Sequence, residues 1–162
     1  DTGNTYKEDF SGIVHPAEIP SVMSQGKSHG FHRPLAENEI LITSDTMVLC
    51  RREILGKPKD REDAIRMLRL LSGCLHRVIT AVTIRDSVRE TTFSDTSYVH
   101  FKELSDSEIE YYVDTCRPYD KAGAYAIQEW IGYTGITKID GSYYTIMGLP
   151  AHRLYSELQK FI

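Results

Sequence analysis

Residues 39–60, with the sequence EILITSDTMVLCRREILGKPKD, decide how this chain is expected to fold. Two short apolar runs, residues 40–42 and 47–49, have the length and composition of buried strand segments. Between them lies Ser-Asp-Thr, with Asp45 at its centre. An acidic side chain held between buried segments is costly without a partner. Two interpretations follow: a turn or cap at a strand end, where such residues bond their own backbone, or a carboxylate with a chemical role.

The end of the same segment is a stiff loop that carries a cation. Gly56 permits a tight backbone, Pro58 restricts it, and Lys57 between them presents a mobile ammonium group. A carboxylate at a strand end and a lysine on a nearby loop suit a triphosphate substrate with a bound metal. The acid can activate water or hold Mg²⁺, while the lysine neutralises phosphate oxygens.

Length and composition predict one ordinary globular domain spanning residues 1–162, with 41% hydrophobic and 26% charged residues. A net charge of −4 argues against stable nucleic-acid binding. No apolar run is long enough for a membrane span, and no signal peptide is evident. Cys50, Cys74 and Cys116 lack a Cys-x-x-Cys spacing. We therefore expect free, partly buried thiols and a cytoplasmic protein.

The rest of the chain alternates between helix and strand signals. Residues 1–20 are polar and punctuated by glycine and proline, and are expected to form a surface loop. Residues 21–31 predict a helix that contains Lys27, although its glycines make it a weak one. Further helices are predicted at residues 60–73, capped by Asp60, at residues 105–115, opened by a capping box, and after Pro150. The apolar residues expected on their buried faces are Ala64, Ile65, Leu68 and Leu71 in the first, Ile109, Tyr112 and Val113 in the second, and Leu154, Tyr155, Leu158 and Phe161 in the last. Strands are predicted at residues 75–85 and 88–101 as an antiparallel pair.

Five further residues have both a chemical and a structural interpretation. His29 and His32 have a spacing that would suit a metal on a helix, or are surface histidines. Asp120 and Lys121 stand beside small residues, where a phosphate could approach, or form a surface ion pair at a turn. The amide of Gln128 offers a donor and an acceptor side by side, as needed to recognise a base edge, or is simply exposed.

Six collinear motifs give the chain a resemblance to a known family. They are Ile-Thr-Ser-Asp-Thr, Leu-Gly-Lys-Pro-Lys-Asp-Arg-Glu-Asp-Ala, Leu-Ser-Gly, Val-Ile-Thr, Asp-Lys-Ala-Gly-Ala-Tyr-Ala-Ile-Gln and Gly-Ser-Tyr-Tyr-Thr-Ile-Met-Gly-Leu-Pro. Their order and spacing resemble the Maf family of nucleoside triphosphate pyrophosphatases, also described as septum-formation inhibitors. The resemblance implies an α/β fold with a mixed sheet and a nucleotide cleft, similar to inosine-triphosphate pyrophosphatase.

The resemblance also implies an activity, a cofactor and a set of site residues. Proteins of this family split a nucleoside triphosphate into the monophosphate and pyrophosphate with a divalent cation, Mg²⁺ or Mn²⁺. Asp45 matches the catalytic acid, which accepts a proton from the attacking water, and is the expected metal ligand. The expected substrate-binding residues are Thr46 and Gln128, which match the branch acting on dTTP and UTP, with Lys57, Lys27, Asp120 and Lys121.

The resemblance has one gap that bears on activity. The family opens with a strand, a Ser-x-Ser-Pro-Arg-Arg loop and a helix, which these 162 residues do not contain. Losing one preorganised charge contact typically costs on the order of 10²–10³ in rate. Two functions are therefore considered: a pyrophosphatase for dTTP and UTP, or modified pyrimidine nucleotides, and a catalytically degenerate domain that binds a nucleotide or a division partner. The family resemblance further implies a homodimer.

Overall fold

The computed structural model describes residues 15–162, and the loop expected at the start of the chain falls mostly outside this range. Helices and strands alternate along the chain, which confirms the α/β class. The helices are α1 (Ile19–His29), α2 (Arg61–Leu71), α3 (Asp106–Cys116), α4 (Trp130–Gly135), α5 (Tyr143–Met147) and α6 (Ala151–Leu158). The strands are β1 (Leu41–Cys50), β2 (Glu53–Leu55), β3 (Leu75–Arg85), β4 (Glu90–Phe101) and β5 (Ile136–Asp140). Short 3₁₀ turns lie at Pro16–Glu18, Ala122–Ala124 and Gln159–Phe161.

The strands form one five-stranded sheet in the order β2-β1-β3-β4-β5. β1 pairs with β2 and β4 pairs with β5, both antiparallel, with Leu49 opposite Ile54 and Val99 opposite Ile139. Residues 86–89 alone connect β3 to β4. So short a connection can join only antiparallel neighbours, as the sequence predicted.

The chain divides into two compact units, each with its own apolar cluster. The first unit comprises the described residues up to Thr46 together with Thr80–Asp95 and Gly148–Ile162. In it, Leu154, Leu158 and Phe161 pack against Val82, Ile84 and Phe93. The second unit comprises Met47–Ile79 and Thr96–Met147 and contains the larger cluster. Among its fully buried side chains are Leu55, Leu68, Leu71, Ile109, Tyr112 and Ile131.

Two helices of the second unit begin where the sequence predicted. The Asp60 side chain accepts a hydrogen bond from the Asp63 backbone N–H at 2.8 Å and caps α2. Ser105 and Glu108 form a reciprocal capping box at the start of α3. Each such cap contributes about 1 kcal/mol. The residues predicted to face the core of α2, Ala64, Ile65, Leu68 and Leu71, are all buried.

Three expectations about burial and strand ends were wrong. β1 runs without a break from Leu41 to Cys50, so Asp45 lies within a strand and not in a turn. Ile40 and Ile42, expected to be buried, are 43% and 37% exposed. Tyr155, expected on the apolar face of the last helix, is 67% exposed, since α6 contacts the core through Leu154 and Leu158 instead.

Within residues 15–162, no helix has the length and apolar character that crossing a bilayer requires. All three cysteines are free, Cys50 buried and the other two half-buried.

Candidate functional site

Asp45 and Lys27, which the sequence placed far apart, meet in the first unit. The Lys27 ammonium group donates to Asp45 Oδ1 at 2.7 Å and to the Ser44 carbonyl oxygen at 3.2 Å. The side chains retain 14% exposure for Asp45 and 32% for Lys27. A partly desolvated ion pair of this kind is stronger than a surface pair, because water screens it less. The pair therefore holds an ionised carboxylate at a position that solvent still reaches.

Helix α1 places Lys27 through polar contacts with the sheet. Ser24 Oγ lies 2.8 Å from Thr83 Oγ1, and the Ser24 carbonyl accepts from Thr43 Oγ1 at 2.7 Å. One turn further, the Arg85 guanidinium donates to Ser28 Oγ at 3.0 Å and to the Ser28 carbonyl at 2.8 Å. These bonds lie on both sides of Lys27 along the helix. They fix the rotation of α1 that directs the ammonium group to Asp45.

Thr46 faces the opposite side of the sheet from Asp45, because successive side chains of a strand alternate. Its hydroxyl lies 2.9 Å from the hydroxyl of Thr80, which is fully buried on β3. Gly148 also approaches it: a Cβ on Gly148 would lie 3.4 Å from Thr46 Oγ1. Asp45 and Thr46, although adjacent in the chain, therefore contact different residues on opposite faces of the sheet.

The loops that carry Lys57 and the Asp120–Lys121 pair meet in the second unit. The Gly123 backbone N–H donates to the Gly56 carbonyl at 3.1 Å, which links the two loops next to these charged residues. Gly123 has a φ of +72°, and a Cβ there would lie 2.9 Å from Val48 Cγ2. Lys57 is exposed, and the surface ion pair considered for Asp120 and Lys121 is present at 3.4 Å.

Gln128 is exposed at the corner of a β-turn in the second unit. The Glu129 N–H donates to the Ala126 carbonyl at 3.1 Å, so that Ile127 and Gln128 are the two central residues of the turn. The Ile127 side chain is buried, whereas the Gln128 side chain points outward.

The donor set for a metal is small in the described part of the chain. His29 Nε2 lies 2.6 Å from Glu90 Oε1, so this histidine has a carboxylate partner. No group of three or more His, Cys, Asp or Glu side chains within residues 15–162 is arranged to hold a metal ion. Asp45 remains as one carboxylate with some solvent access. This fits Mg²⁺, which often binds through one or two carboxylates and the phosphates of its substrate.

Sequence reasoning identified Lys27 and Asp45 but missed the residues that position them. Ser24 and Ser28 are spaced one turn apart on α1, and Thr83 and Arg85 share one face of β3. The sequence signal that could have predicted this contact is a pair of serines one helical turn apart, together with polar residues at alternate positions of a strand. The sequence assigned no role in the site to Thr80 or Tyr112.

These features define an α/β protein with an ion-paired aspartate on an inner strand of the sheet and glycine-dependent loops. Comparison with known proteins then assigns the family. The profile of the family described as Maf-like protein matches residues 4–161. The chain belongs to the Maf family.

Proteins named dTTP/UTP pyrophosphatase are similar over most of this chain. That of Porphyromonas gingivalis is 47% identical over 156 residues, which is 95% of this chain and 78% of the relative. Those of Bacteroides thetaiotaomicron and Christiangramia forsetii are each 46% identical, covering 99% and 96% of this chain and 81% and 79% of the relatives.

Proposed function

We propose that this chain is a nucleoside triphosphate pyrophosphatase that hydrolyses dTTP and UTP to the monophosphate and pyrophosphate. Membership of the Maf family and the activity named for relatives at 46–47% identity support the activity and the substrate. The observation that carries the proposal is the 2.7 Å ion pair between Lys27 and Asp45, which holds an ionised carboxylate within reach of solvent.

Asp45 is the proposed proton acceptor for the attacking water. Attack on the α-phosphorus forms a bond from the water oxygen, breaks the bond to the β-phosphate oxygen, and releases pyrophosphate. Such a reaction depends mainly on positioning and charge neutralisation. Lys27 favours the ionised form of Asp45 before substrate binds. When a triphosphate arrives, its oxygens compete with Asp45 for the ammonium group, and the carboxylate becomes a better proton acceptor.

A divalent cation is part of the proposal. Asp45 would hold it together with oxygens of the substrate, since the described residues provide no larger donor set. When bound, Mg²⁺ or Mn²⁺ supplies positive charge that stabilises the transition state and the leaving pyrophosphate.

The remaining residues are assigned to the substrate. Lys57 would neutralise phosphate oxygens from its exposed loop, and Asp120 and Lys121 would line the nucleotide site from the loop joined to it by Gly123. Thr46 and Gln128 would set the preference for dTTP and UTP. The Gln128 carboxamide can donate to O4 and accept from N3–H of thymine or uracil.

We place this activity in the cytoplasm, where its nucleotide substrates are made. Three free thiols without a disulfide are consistent with a reducing compartment. A homodimer and a role in septum formation stay predictions from the family resemblance.

Pyrophosphate release tests the function directly. The wild-type chain is incubated with dTTP, UTP, dCTP and GTP, with Mg²⁺, Mn²⁺ or EDTA, and the Porphyromonas gingivalis relative serves as the assay control. We expect release that favours dTTP and UTP and requires the cation. Asp45→Asn should reduce kcat by at least about 10²–10³-fold while its far-UV circular dichroism stays unchanged. A folded wild-type chain that released no pyrophosphate would refute the proposal and favour the degenerate binding domain.

A further inference from the structure

The turn that carries Gln128 is closed by one buried hydroxyl group. Tyr112 on α3 is fully buried, and its OH accepts a hydrogen bond from the Ala126 N–H at 3.0 Å. The same OH donates to Glu129 Oε1 at 2.7 Å. Ala126 and Glu129 are the first and last residues of the turn. A single side chain therefore binds both ends of the turn, with Gln128 at the exposed corner between them.

Glu129 has a second partner on the same helix. Burial, and then the charge of the Glu129 carboxylate, raise the pKa of the Cys116 thiol, which is one turn beyond Tyr112 on α3. Burial, and then the nearby Glu129 carboxylate, raise the pKa of Tyr112. The phenol therefore remains protonated at neutral pH and remains a donor. These bonds attach the turn to a helix whose buried face belongs to the core of the second unit.

The other side of the turn has no free space. Gly132 donates its N–H to the Glu129 carbonyl at 2.9 Å. A Cβ on Gly132 would lie 1.8 Å from the Ile127 carbonyl oxygen, so the backbone of α4 lies directly against the turn. Backbone packing on one side and the Tyr112 hydroxyl on the other leave one position for the turn.

We propose that Tyr112 and Glu129 are positioning residues for Gln128: they fix the turn so that its carboxamide meets the O4 and N3–H edge of a pyrimidine at a defined place. This inference rests on the proposed function and on the role of Gln128 within it. Removing the support should not prevent the reaction. It should weaken the grip on thymine and uracil, because a carboxamide on a loosened turn loses directional hydrogen bonds.

Steady-state kinetics with dTTP and dCTP test the inference in five variants. For Tyr112→Phe and Glu129→Ala we expect KM for dTTP to rise about three- to tenfold, the factor that one lost hydrogen bond is worth, with kcat within about twofold. The preference for dTTP over dCTP, as the ratio of kcat/KM values, should fall by a similar factor. Glu129→Gln keeps an acceptor oxygen for Tyr112 and should restore most of the preference.

Tyr125→Phe is the matched control. It also removes a buried phenol hydroxyl, which lies 2.6 Å from His76 Nε2 and does not bond the turn. It should lower the melting temperature, as Tyr112→Phe does, but leave the dTTP preference unchanged. A general loss of stability would lower activity in both variants alike, so a change confined to Tyr112→Phe identifies positioning.

Gln128→Ala separates the possible failures. A wild-type chain inactive on every nucleotide would overturn the proposed function and this inference together. An active chain whose preference survives Gln128→Ala would show that Gln128 does not recognise the base, and would overturn the inference alone. If Gln128→Ala lowers the preference while Tyr112→Phe and Glu129→Ala leave KM and preference unchanged, Gln128 acts without the positioning assigned here.

Discussion

Replacing Gly123 by alanine tests two features of its loop: the left-handed backbone at Gly123 and the close packing of the loop on Val48. Its φ of +72° costs an alanine about 1–2 kcal/mol, because the side chain meets its own backbone in the left-handed region. The new Cβ would also lie 2.9 Å from Val48 Cγ2 and 3.2 Å from Val48 Cβ and Cγ1. Inserting a methyl group into a packed site costs about 1–3 kcal/mol. We therefore expect Gly123→Ala to lower the free energy of unfolding by about 2–5 kcal/mol.

Urea denaturation followed by far-UV circular dichroism measures this loss. Gly56→Ala is the matched control, since Gly56 has no neighbouring atom within 4 Å of a Cβ. It should change the free energy of unfolding by less than about 1 kcal/mol in either direction. The double variant Gly123→Ala/Val48→Ala separates the two causes, because it removes the methyl groups that the new Cβ meets. The double variant should lose less free energy of unfolding than the sum of the losses measured for Gly123→Ala and Val48→Ala separately.

The reasoning would be refuted if Gly123→Ala were as stable as the wild type, or if the two single losses simply added. In the first case the left-handed conformation and the contact with Val48 would both be absent in solution. In the second, the loss would come from the backbone conformation alone, and the close packing of this loop on β1 would be wrong.

Two further predictions concern charged groups. Lys27→Met should lower kcat for dTTP by about 10²–10³-fold in a chain whose far-UV circular dichroism shows it to be folded. Arg33→Met, which breaks the exposed pair with Glu39, should leave kcat unchanged. Equal kcat values for wild type and Lys27→Met would contradict the role of the ion pair. Burial, and then the charge of His100, lower the pKa of His76 to about 4. In the unfolded chain His76 is protonated near its ordinary pKa of about 6.5, whereas in the folded chain it is protonated only near pH 4. The free energy of unfolding should therefore fall by up to about 3 kcal/mol as the pH is lowered from 6.5 to 4. His76→Phe should flatten that slope in denaturation curves measured across this range, and an unchanged slope would show that another group causes it.

Local signals in the sequence were enough to locate most elements of the fold. The Asp60 cap and the Ser105–Glu108 capping box predicted the starts of α2 and α3, because these interactions involve residues within one turn. Alternation predicted β3 at Leu75–Arg85 with its observed bounds. The prediction that the strand ends at Ser44-Asp45-Thr46 was wrong. These residues favour a turn only where no contact with another part of the chain stabilises the extended conformation. Lys27 supplies such a contact from α1, and local propensity does not register it.

The candidate site was only partly accessible from the sequence. Residue types and motif spacing identified Asp45, Lys27 and Gln128 as residues with a potential role. They did not indicate that Lys27 bonds Asp45 directly, or that Thr46 faces the opposite side of β1, because both depend on which helix lies over which face of the sheet. Tyr112 carries no motif at all. Its importance comes from a hydroxyl that bonds the Ala126 backbone N–H and the Glu129 carboxylate, fourteen and seventeen positions later in the chain.

Strand β3 shows how the first unit combines stability with accurate placement of a charged group. Its apolar residues Val82 and Ile84 face α6, where packing is non-directional and tolerates repacking. Its polar residues Thr83 and Arg85 face α1, where hydrogen bonds are directional and a buried partner left unpaired costs about 1–3 kcal/mol. A rotation of α1 would break several of these bonds at once, so the helix has one preferred rotation. A helix packed through leucines would hold as firmly but would leave the Lys27 ammonium less precisely located relative to Asp45.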